Sequence, residues 1–280
     1  MKTTIFKTAI MASVLLAAPS AHALVAIDGW QFDTNSAVNG ATVKAITTNI
    51  GHLNVESGLS TVTQETDAVG NPFVGAKFTE FGSSLSLTYS LENCIGTCDG
   101  GASAVLPTTY VFEFQGLEGS VTAVGGDGSI SFSFDNIAAG GFIRLKEQNS
   151  GEILATFDLA QPSGGSLGNF NGTGGTAGTS TILGLTTTSI ANLFRDSSGV
   201  SLVSDLINNP LFMEVVTTNS VPSNQTPPTV FDCGFDSGHC VQLQPNSNGT
   251  ANLFTVPEPA SLATMGMGLL LMGAARRRRA

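Results

Sequence analysis

Charged side chains are scarce in this chain, and basic side chains are the scarcer kind. Only 11% of the residues are charged, with 11 Lys and Arg against 21 Asp and Glu. Six of the cations lie at the two ends of the chain, which leaves five cations and 20 acidic groups, a formal charge of −15, in residues 24–256. A body with this charge is not expected to bind nucleic acid or anionic lipid by electrostatic attraction.

Histidine, the usual general base and metal ligand, is also scarce. Beyond residue 23 only His52 and His239 remain, which is too few for a His-rich metal site and a poor supply for a catalytic triad. Gly164–Gly168 matches the Gly-x-Ser-x-Gly pattern, but no alternating strand and helix pattern surrounds it, so we interpret it as a chance match. The sequence therefore predicts no enzyme activity, no cofactor and no metal site.

The first 23 residues have the three parts of a secretory signal peptide. Lys2 and Lys7 precede an apolar stretch, Ala9–Ala18, and the small residues Ala21 and Ala23 then flank one position. This order predicts recognition by signal peptidase and cleavage after Ala23, so that Leu24 becomes the first residue of the exported chain.

The C-terminal end pairs a short apolar stretch with a cluster of arginines. Residues 260–275 carry no charge, and as a helix they would span about 24 Å, against about 30 Å for a bilayer core. Arg276–Arg279 follow directly, and basic residues stay on the cytoplasmic side. The pattern predicts a transmembrane helix at 260–275, with the body on the opposite side of the membrane.

The residues before that helix complete a known arrangement. The sequence Val-Pro-Glu-Pro-Ala-Ser at 256–261, the apolar stretch and the terminal arginines together resemble the PEP-CTERM sorting signal of Gram-negative bacteria. The resemblance implies that an exosortase recognises the tail and that the protein then passes to the cell surface or the extracellular matrix. It also implies an association with exopolysaccharide or other matrix components. The implied recognition residues are Pro257, Glu258, Pro259, Arg276, Arg277, Arg278 and Arg279.

Three short pieces of the body resemble the flocculation-associated PEP-CTERM proteins. They are Trp30-x-Phe32-Asp33, Gly141–Leu145 and Ala251–Phe254. This resemblance implies a role in cell aggregation, in flocs or biofilm. Two alternatives stay open: a surface protein that binds or hydrolyses carbohydrate, and a protein that adheres to ice or other surfaces.

A glycoside hydrolase needs two carboxylates at a set separation across a sugar-binding cleft. The sequence offers several carboxylates without indicating a pair; the candidates are Asp28, Asp33, Glu113, Glu118, Asp135 and Glu147. Trp30 could stack on a sugar, although a core position is the stronger interpretation. Gly125–Gly128 and the pair Asp232 and Asp236 resemble ordinary turns more than calcium loops.

The four cysteines form two closely spaced pairs. Cys94 and Cys98 are one pair and Cys233 and Cys240 are the other, and export places them where disulfides persist. Two local disulfides, 94–98 and 233–240, are the simplest pairing. The nested and crossed pairings stay open, as does a zinc site formed with His239.

Short runs of alternating apolar and polar residues, separated by glycine-rich turns, fill residues 24–255. This pattern predicts an all-β fold, an antiparallel β-sandwich with long Gly/Ser/Thr-rich loops, between the signal peptide (1–23) and the sorting signal (256–280). Ser189–Asn208 is predicted to hold one or two short helices, and Gln161–Ser180 and Val221–Thr229 to be loops. Strands are predicted at Val25–Phe32, Ala41–Thr48, Leu59–Gln64, Lys77–Phe81, Ser84–Leu91, Thr109–Gln115, Ser129–Asp135, Phe142–Glu147, Ile153–Leu159, Leu211–Thr217, Val241–Gln244 and Ala251–Val256.

Overall fold

The alternation of apolar and polar residues produces antiparallel strands, as predicted. The computed structural model describes residues 24–35, 37, 44–84, 86–91, 104–169, 176–222 and 229–256. Ala26–Thr255 form one compact unit; of the second unit, Met1–Val25 with Val256–Ala280, only Leu24, Val25 and Val256 are described. The strands are β1 (Val25–Ala26), β2 (Trp30–Asp33), β3 (Ile46–Glu65), β4 (Lys77–Ser83), β5 (Ser86–Leu91), β6 (Ala104–Val105), β7 (Tyr110–Val124), β8 (Ile130–Glu147), β9 (Ile153–Leu167), β10 (Thr176–Ser189), β11 (Phe194–Arg195), β12 (Leu211–Val221), β13 (Val230–Asp232), β14 (His239–Leu243) and β15 (Asn246–Thr255).

Eight of these strands close into a barrel. In the order β3, β4, β7, β8, β9, β10, β12 and β15, each strand pairs antiparallel with the next. β15 then pairs with β3 and closes the ring. The prediction of a sandwich is therefore wrong: the sheet curls onto itself, which removes its free edges.

The barrel interior is filled by the inward-facing residues of each strand. Along β12, Leu211, Met213 and Val215 are buried, whereas the side chains between them face outward. One end of the barrel is packed by a large apolar cluster that includes Trp30, whose ring meets Phe194 edge-on at 5.9 Å. Trp30 is therefore a core residue, as its stronger interpretation predicted.

A smaller cluster fills the other end of the barrel. Val121, Ile130, Val221 and Leu243 are buried there together. Between the two clusters β12 turns Thr217 and Asn219 inward, so a polar belt crosses the middle of the lumen.

Several predicted strands are confirmed, but some are joined or extended. Ser129–Asp135 and Phe142–Glu147 belong to one strand, β8, in which a wide register shift around Gly140 and Gly141 separates the two pieces. The predicted loop Gln161–Ser180 is wrong in large part, because β9 continues to Leu167 and β10 begins at Thr176. Its Gly and Ser residues resemble a loop in composition, yet the neighbouring strands of the barrel hydrogen-bond to them.

The predicted helices within Ser189–Asn208 are also wrong. This segment holds the short strand β11, which pairs with β2, and a series of turns. Asp196 directs one turn, because its Oδ1 accepts hydrogen bonds from the backbone N–H groups of Ser198 and Val200, both at 2.9 Å. Within the described ranges we find no helix with the length and hydropathy to cross a membrane; the predicted helix 260–275 lies outside those ranges.

Close contact between β4, β7 and β8 requires glycine at position 119. A Cβ atom at Gly119 would lie 2.2 Å from the Ser133 carbonyl oxygen and 2.3 Å from the Phe78 ring. We predict that Gly119→Ala destabilises the barrel by roughly 2 to 4 kcal/mol, because either the Ser133 backbone or a packed ring must move. Urea unfolding would measure the loss. Gly126→Ala is the matched control, since nothing lies within 4 Å of its Cβ position; equal stability of the two variants would contradict the expected clash.

Candidate functional site

Most of the carboxylates singled out from the sequence are scattered over the barrel. Asp28 is exposed before β2. Asp33 is buried, and its Oδ2 lies 2.6 Å from Arg195 Nη2 in an ion pair that links β2 to β11. Neither forms a catalytic pair with another acidic side chain among the described contacts.

Glu147 has a structural role that its sequence position does not reveal. Its carboxylate is fully buried and accepts hydrogen bonds from Thr108 Oγ1 at 2.8 Å and from the Ser150 backbone N–H at 2.6 Å. Burial by itself would raise the pKa of Glu147, but the hydrogen bonds from Ser150 and Thr108 outweigh it and lower the pKa to about 2. Glu147 thus stays ionised and fixes the turn after β8.

Two of the predicted carboxylates do meet. Glu118 of β7 and Asp135 of β8 line one cleft of about 280 Å³, with Lys77, Asn136 and Phe235 also on its walls. Asp135 accepts hydrogen bonds from Ser120 Oγ at 2.7 Å and Ser133 Oγ at 2.6 Å. Partial burial by itself would raise the pKa of Asp135, but these hydrogen bonds and the Lys77 charge outweigh burial and hold the pKa below its ordinary value. We call this the acidic cleft.

A larger, shallower groove lies on the outer face of β3, β4, β7 and β8. Its volume is about 520 Å³, and we call it the outer groove. Phe81 is 54% exposed and pairs with Thr61 across β3 and β4, while Gln115 pairs with Phe142 across β7 and β8. The residues that line it are Leu59, Thr61, Phe81, Gly82, Ser83, Glu113, Phe114, Gln115 and Phe142.

The carboxylate at the groove edge is paired with two cations. Glu113 forms ion pairs with Arg144 and with Lys146, whose Nζ lies 2.6 Å from Glu113 Oε2. The Arg144 guanidinium also lies over the Phe142 ring, 3.8 Å from its centre, and stabilises the position of that ring. The groove therefore presents aromatic rings, hydroxyls and an amide, a surface suited to the apolar faces and hydroxyls of sugars.

One carboxylate with a strongly raised pKa was not among the candidates. Glu80 of β4 faces the lumen, where it lines two small cavities of about 50 and 40 Å³. Burial raises the pKa of Glu80 to about 7, and the nearby Ser60 hydroxyl opposes that shift only in part. The sequence did hold an indication, because alternation places Glu80 on the same face of β4 as the core residue Phe78.

Around Glu80 the lumen has one polar and one aromatic wall. On the polar wall, Asn219 Oδ1 accepts from Thr217 Oγ1 at 2.9 Å and Ser247 Oγ at 2.8 Å, and Asn219 Nδ2 donates to Ser180 Oγ at 3.1 Å. The facing wall carries Phe78, Phe112, Phe114 and Phe132. Cavities of this size can hold water but are too small for a sugar ring.

One of the two predicted cysteine pairs lies within the described residues. Cys233 and Cys240 form a disulfide, with Cα atoms 5.8 Å apart, which excludes these two residues as zinc ligands. Cys94 and Cys98 lie outside the described residues. In the part of the chain that the structure describes, no three His, Cys, Asp or Glu side chains cluster as metal ligands. Ser166, from the chance nucleophile pattern, lies within strand β9.

The comparisons with known proteins concern the C-terminal tail. Residues 255–279 match the family model described as the PEP-CTERM protein-sorting motif. The chain carries a PEP-CTERM sorting motif. It is therefore an exported protein that an exosortase processes, after transient anchoring in the membrane. No curated protein and no solved structure matches the chain.

The matched motif does not include the barrel, so the match does not indicate what the barrel binds. The predicted recognition residues, Pro257, Glu258, Pro259 and Arg276–Arg279, lie outside the described residues, as do Ala21 and Ala23 of the signal-peptide cleavage site.

The hydrogen bonds to Glu147 lead to a pH prediction. We expect Glu147→Gln to destabilise the barrel by roughly 2 to 3 kcal/mol at pH 7, because the amide cannot replace the ionised acceptor. A lowered pKa stabilises the fold fully above the unfolded value near 4.5, and this stabilisation is lost as the pH falls toward 2. The difference between variant and wild type should shrink over that interval. Urea unfolding from pH 7 to pH 3 measures it, with Glu214→Gln on the outer face of β12 as the control; a difference independent of pH would refute this account.

Proposed function

We propose that this protein is a component of the cell surface or extracellular matrix that binds exopolysaccharide through the outer groove. In this role it would help to hold cells together in flocs or biofilm. The single observation that carries the proposal is the outer groove itself, which brings the exposed Phe81 ring and the half-buried Phe142 ring together with hydroxyl and amide groups on one barrel face. The sorting motif supports it by placing the barrel where such polymers are found.

The charge of the exported body indicates which class of polymer the groove would bind. The exported body has a formal charge of −15, and three of its five cations are paired with carboxylates, namely Arg144, Lys146 and Arg195. An acidic polysaccharide would be repelled at low ionic strength. We therefore expect a neutral polysaccharide, held by stacking on the two rings and by hydrogen bonds to Thr61, Ser83 and Gln115.

The sorting steps predict a defined product. Strand β15, the last strand of the barrel, ends at Thr255, and the matched motif begins at residue 255. Cleavage near Pro257–Pro259 would then remove the tail and leave the barrel sequence complete. We expect the intact mass of the protein from the native host to correspond to a chain that starts at Leu24 and ends near these prolines, plus any added sugar. A mass that includes residues 276–279 in the mature protein would show that exosortase does not process it.

The groove itself is tested by removing its rings. We predict that Phe81→Ala and Phe142→Ala each weaken binding to the neutral exopolysaccharide by roughly 1 to 3 kcal/mol, about the contribution of one stacked ring. Affinity electrophoresis in gels that contain the polymer would measure the loss. Phe231→Ala is the matched control, because Phe231 is 40% exposed but lies on β13, away from the groove. Equal retardation of all three variants and wild type would eliminate the groove as the binding surface.

A second function is favoured by one specific observation. Glu118 and Asp135 line the acidic cleft together with Phe235, so two carboxylates, the type of catalytic group that a glycoside hydrolase uses, share one cleft with an aromatic ring. The matrix role predicts no release of reducing sugar ends when the protein is incubated with the polymer. Release that disappears in both Glu118→Gln and Asp135→Asn would favour the hydrolase instead.

A further inference from the structure

The inner cavity beside Glu80 and the outer groove share a wall. Leu59, Ser83 and Phe114 line both the cavity of about 40 Å³ in the lumen and the groove outside it. Gly82 has no side chain to thicken this wall, and a Cβ atom at this position would lie 3.0 Å from the Phe114 ring. The lumen and the groove are therefore separated at this level by three shared residues.

Glu80 and Phe81 place the two sites on opposite faces of one strand. They are adjacent in β4, with Glu80 turned inward opposite Val62 of β3 and Leu117 of β7. Phe81 is turned outward as a ring of the groove. Any movement of the β4 backbone that accommodates a new state of Glu80 also moves Phe81.

The lumen offers Glu80 no counter-charge. The groups that line its two cavities come from β3, β4, β7, β8, β9, β10, β12, β14 and β15, from the turn before β15 and from Ser84 after β4, and Glu80 is the single titratable side chain among these described residues. The charged groups nearest along its own and adjacent strands, Lys77, Glu113 and Glu118, belong to the clefts on the outer face. An ionised Glu80 would thus be balanced by water or dipoles alone.

Polar groups other than Glu80 also line this space. Ser60 is 5% exposed, and its hydroxyl is buried beside the cavity that Glu80 lines, where it lowers the pKa of that carboxyl in part. Asn219 has one N–H engaged by Ser180 and lines both cavities. Polar cavities with two or more such partners are suitable sites for buried water.

We propose that Glu80 is a proton-binding site that regulates the outer groove. With its proton, Glu80 is neutral, and the lumen stays tightly packed behind the groove. When Glu80 has lost its proton, its carboxylate draws water into both cavities and displaces the shared wall. This displacement loosens β4 and weakens the contacts of Phe81 and Phe142 with their ligand. The effect on ligand rests on the proposed function of the groove; the proton step and the movement of β4 do not.

The folded protein favours the neutral form of Glu80, and this preference sets the direction of the pH effect. A carboxyl group whose pKa is raised to about 7 stabilises the fold below its unfolded value near 4.5, and this contribution is lost as the pH rises through 7. Glu80→Gln keeps the neutral shape and cannot lose a proton. Relative to this variant, the unfolding equilibrium constant of wild type should rise by about 150-fold between pH 4.5 and pH 8.

The experiment compares wild type, Glu80→Gln and the control Glu214→Gln from pH 4.5 to pH 8.5. Urea unfolding reports the proton step. Hydrogen exchange of residues 77–84, corrected for intrinsic rates, reports the movement of β4, and affinity electrophoresis reports the groove. We expect the wild type and Glu214→Gln to lose stability as the pH rises from 4.5 through 7, and above pH 7 to exchange faster and bind the neutral polymer several times more weakly. Glu80→Gln should show none of these changes.

Each readout can overturn its own step. Identical pH dependence of stability in wild type and Glu80→Gln would refute Glu80 as the proton site. A stability difference without faster exchange in residues 77–84 would refute the coupling to the groove wall. Absence of polymer binding at every pH, with the first two readouts as expected, would remove the proposed function while leaving the proton-driven movement of β4 established.

Discussion

The backbone hydrogen bonds between β3 and β15 are the constraint on which the rest of this molecule depends. They join the first and last long strands of the barrel and leave none of its eight strands with an open edge. A secreted protein with a free, weakly charged edge would be prone to pair with other copies, and closure removes that hazard without requiring many surface charges. A body with 11% charged residues can thus remain a discrete unit at the cell surface.

Closure also assigns every alternate side chain to the inside or the outside. On β4 this puts Phe78 and Glu80 in the lumen and Phe81 on the surface. The same constraint explains why the lumen has a polar belt between two apolar clusters, since Thr217 and Asn219 occupy inward positions between Val215 and Val221 on β12. A ligand surface and a buried titratable group then become neighbours through the thickness of one strand.

Local patterns predicted the parts of this structure that depend on local interactions. Ile130, Phe132 and Phe134 alternate with serines, which was enough to place them on the inner face of β8; the 233–240 disulfide followed from spacing and export. Barrel and sandwich could not be distinguished, because the deciding pair joins residues near 55 with residues near 249. The groove was missed for the same reason: Phe81 and Phe142 approach only after β4, β7 and β8 are in register. Glu80 was accessible in principle, but a carboxylate within a strand pattern is ordinarily assigned to the solvent face.

The sorting motif and the barrel are separate parts of the chain, and each has its own role. A sorting motif confined to residues 255–279 is read by its processing enzyme as a linear sequence, so it can follow any body and says nothing about what that body binds. The lumen cavities are too small for a sugar, so a polymer would have to bind to the surface of the barrel. On that surface the outer groove combines the exposed Phe81 ring and the half-buried Phe142 ring with hydroxyl and amide groups. Leu59, Ser83 and Phe114 line both this groove and the lumen cavity beside Glu80, so under our two proposals the protonation of Glu80 would alter the surface that binds the polymer.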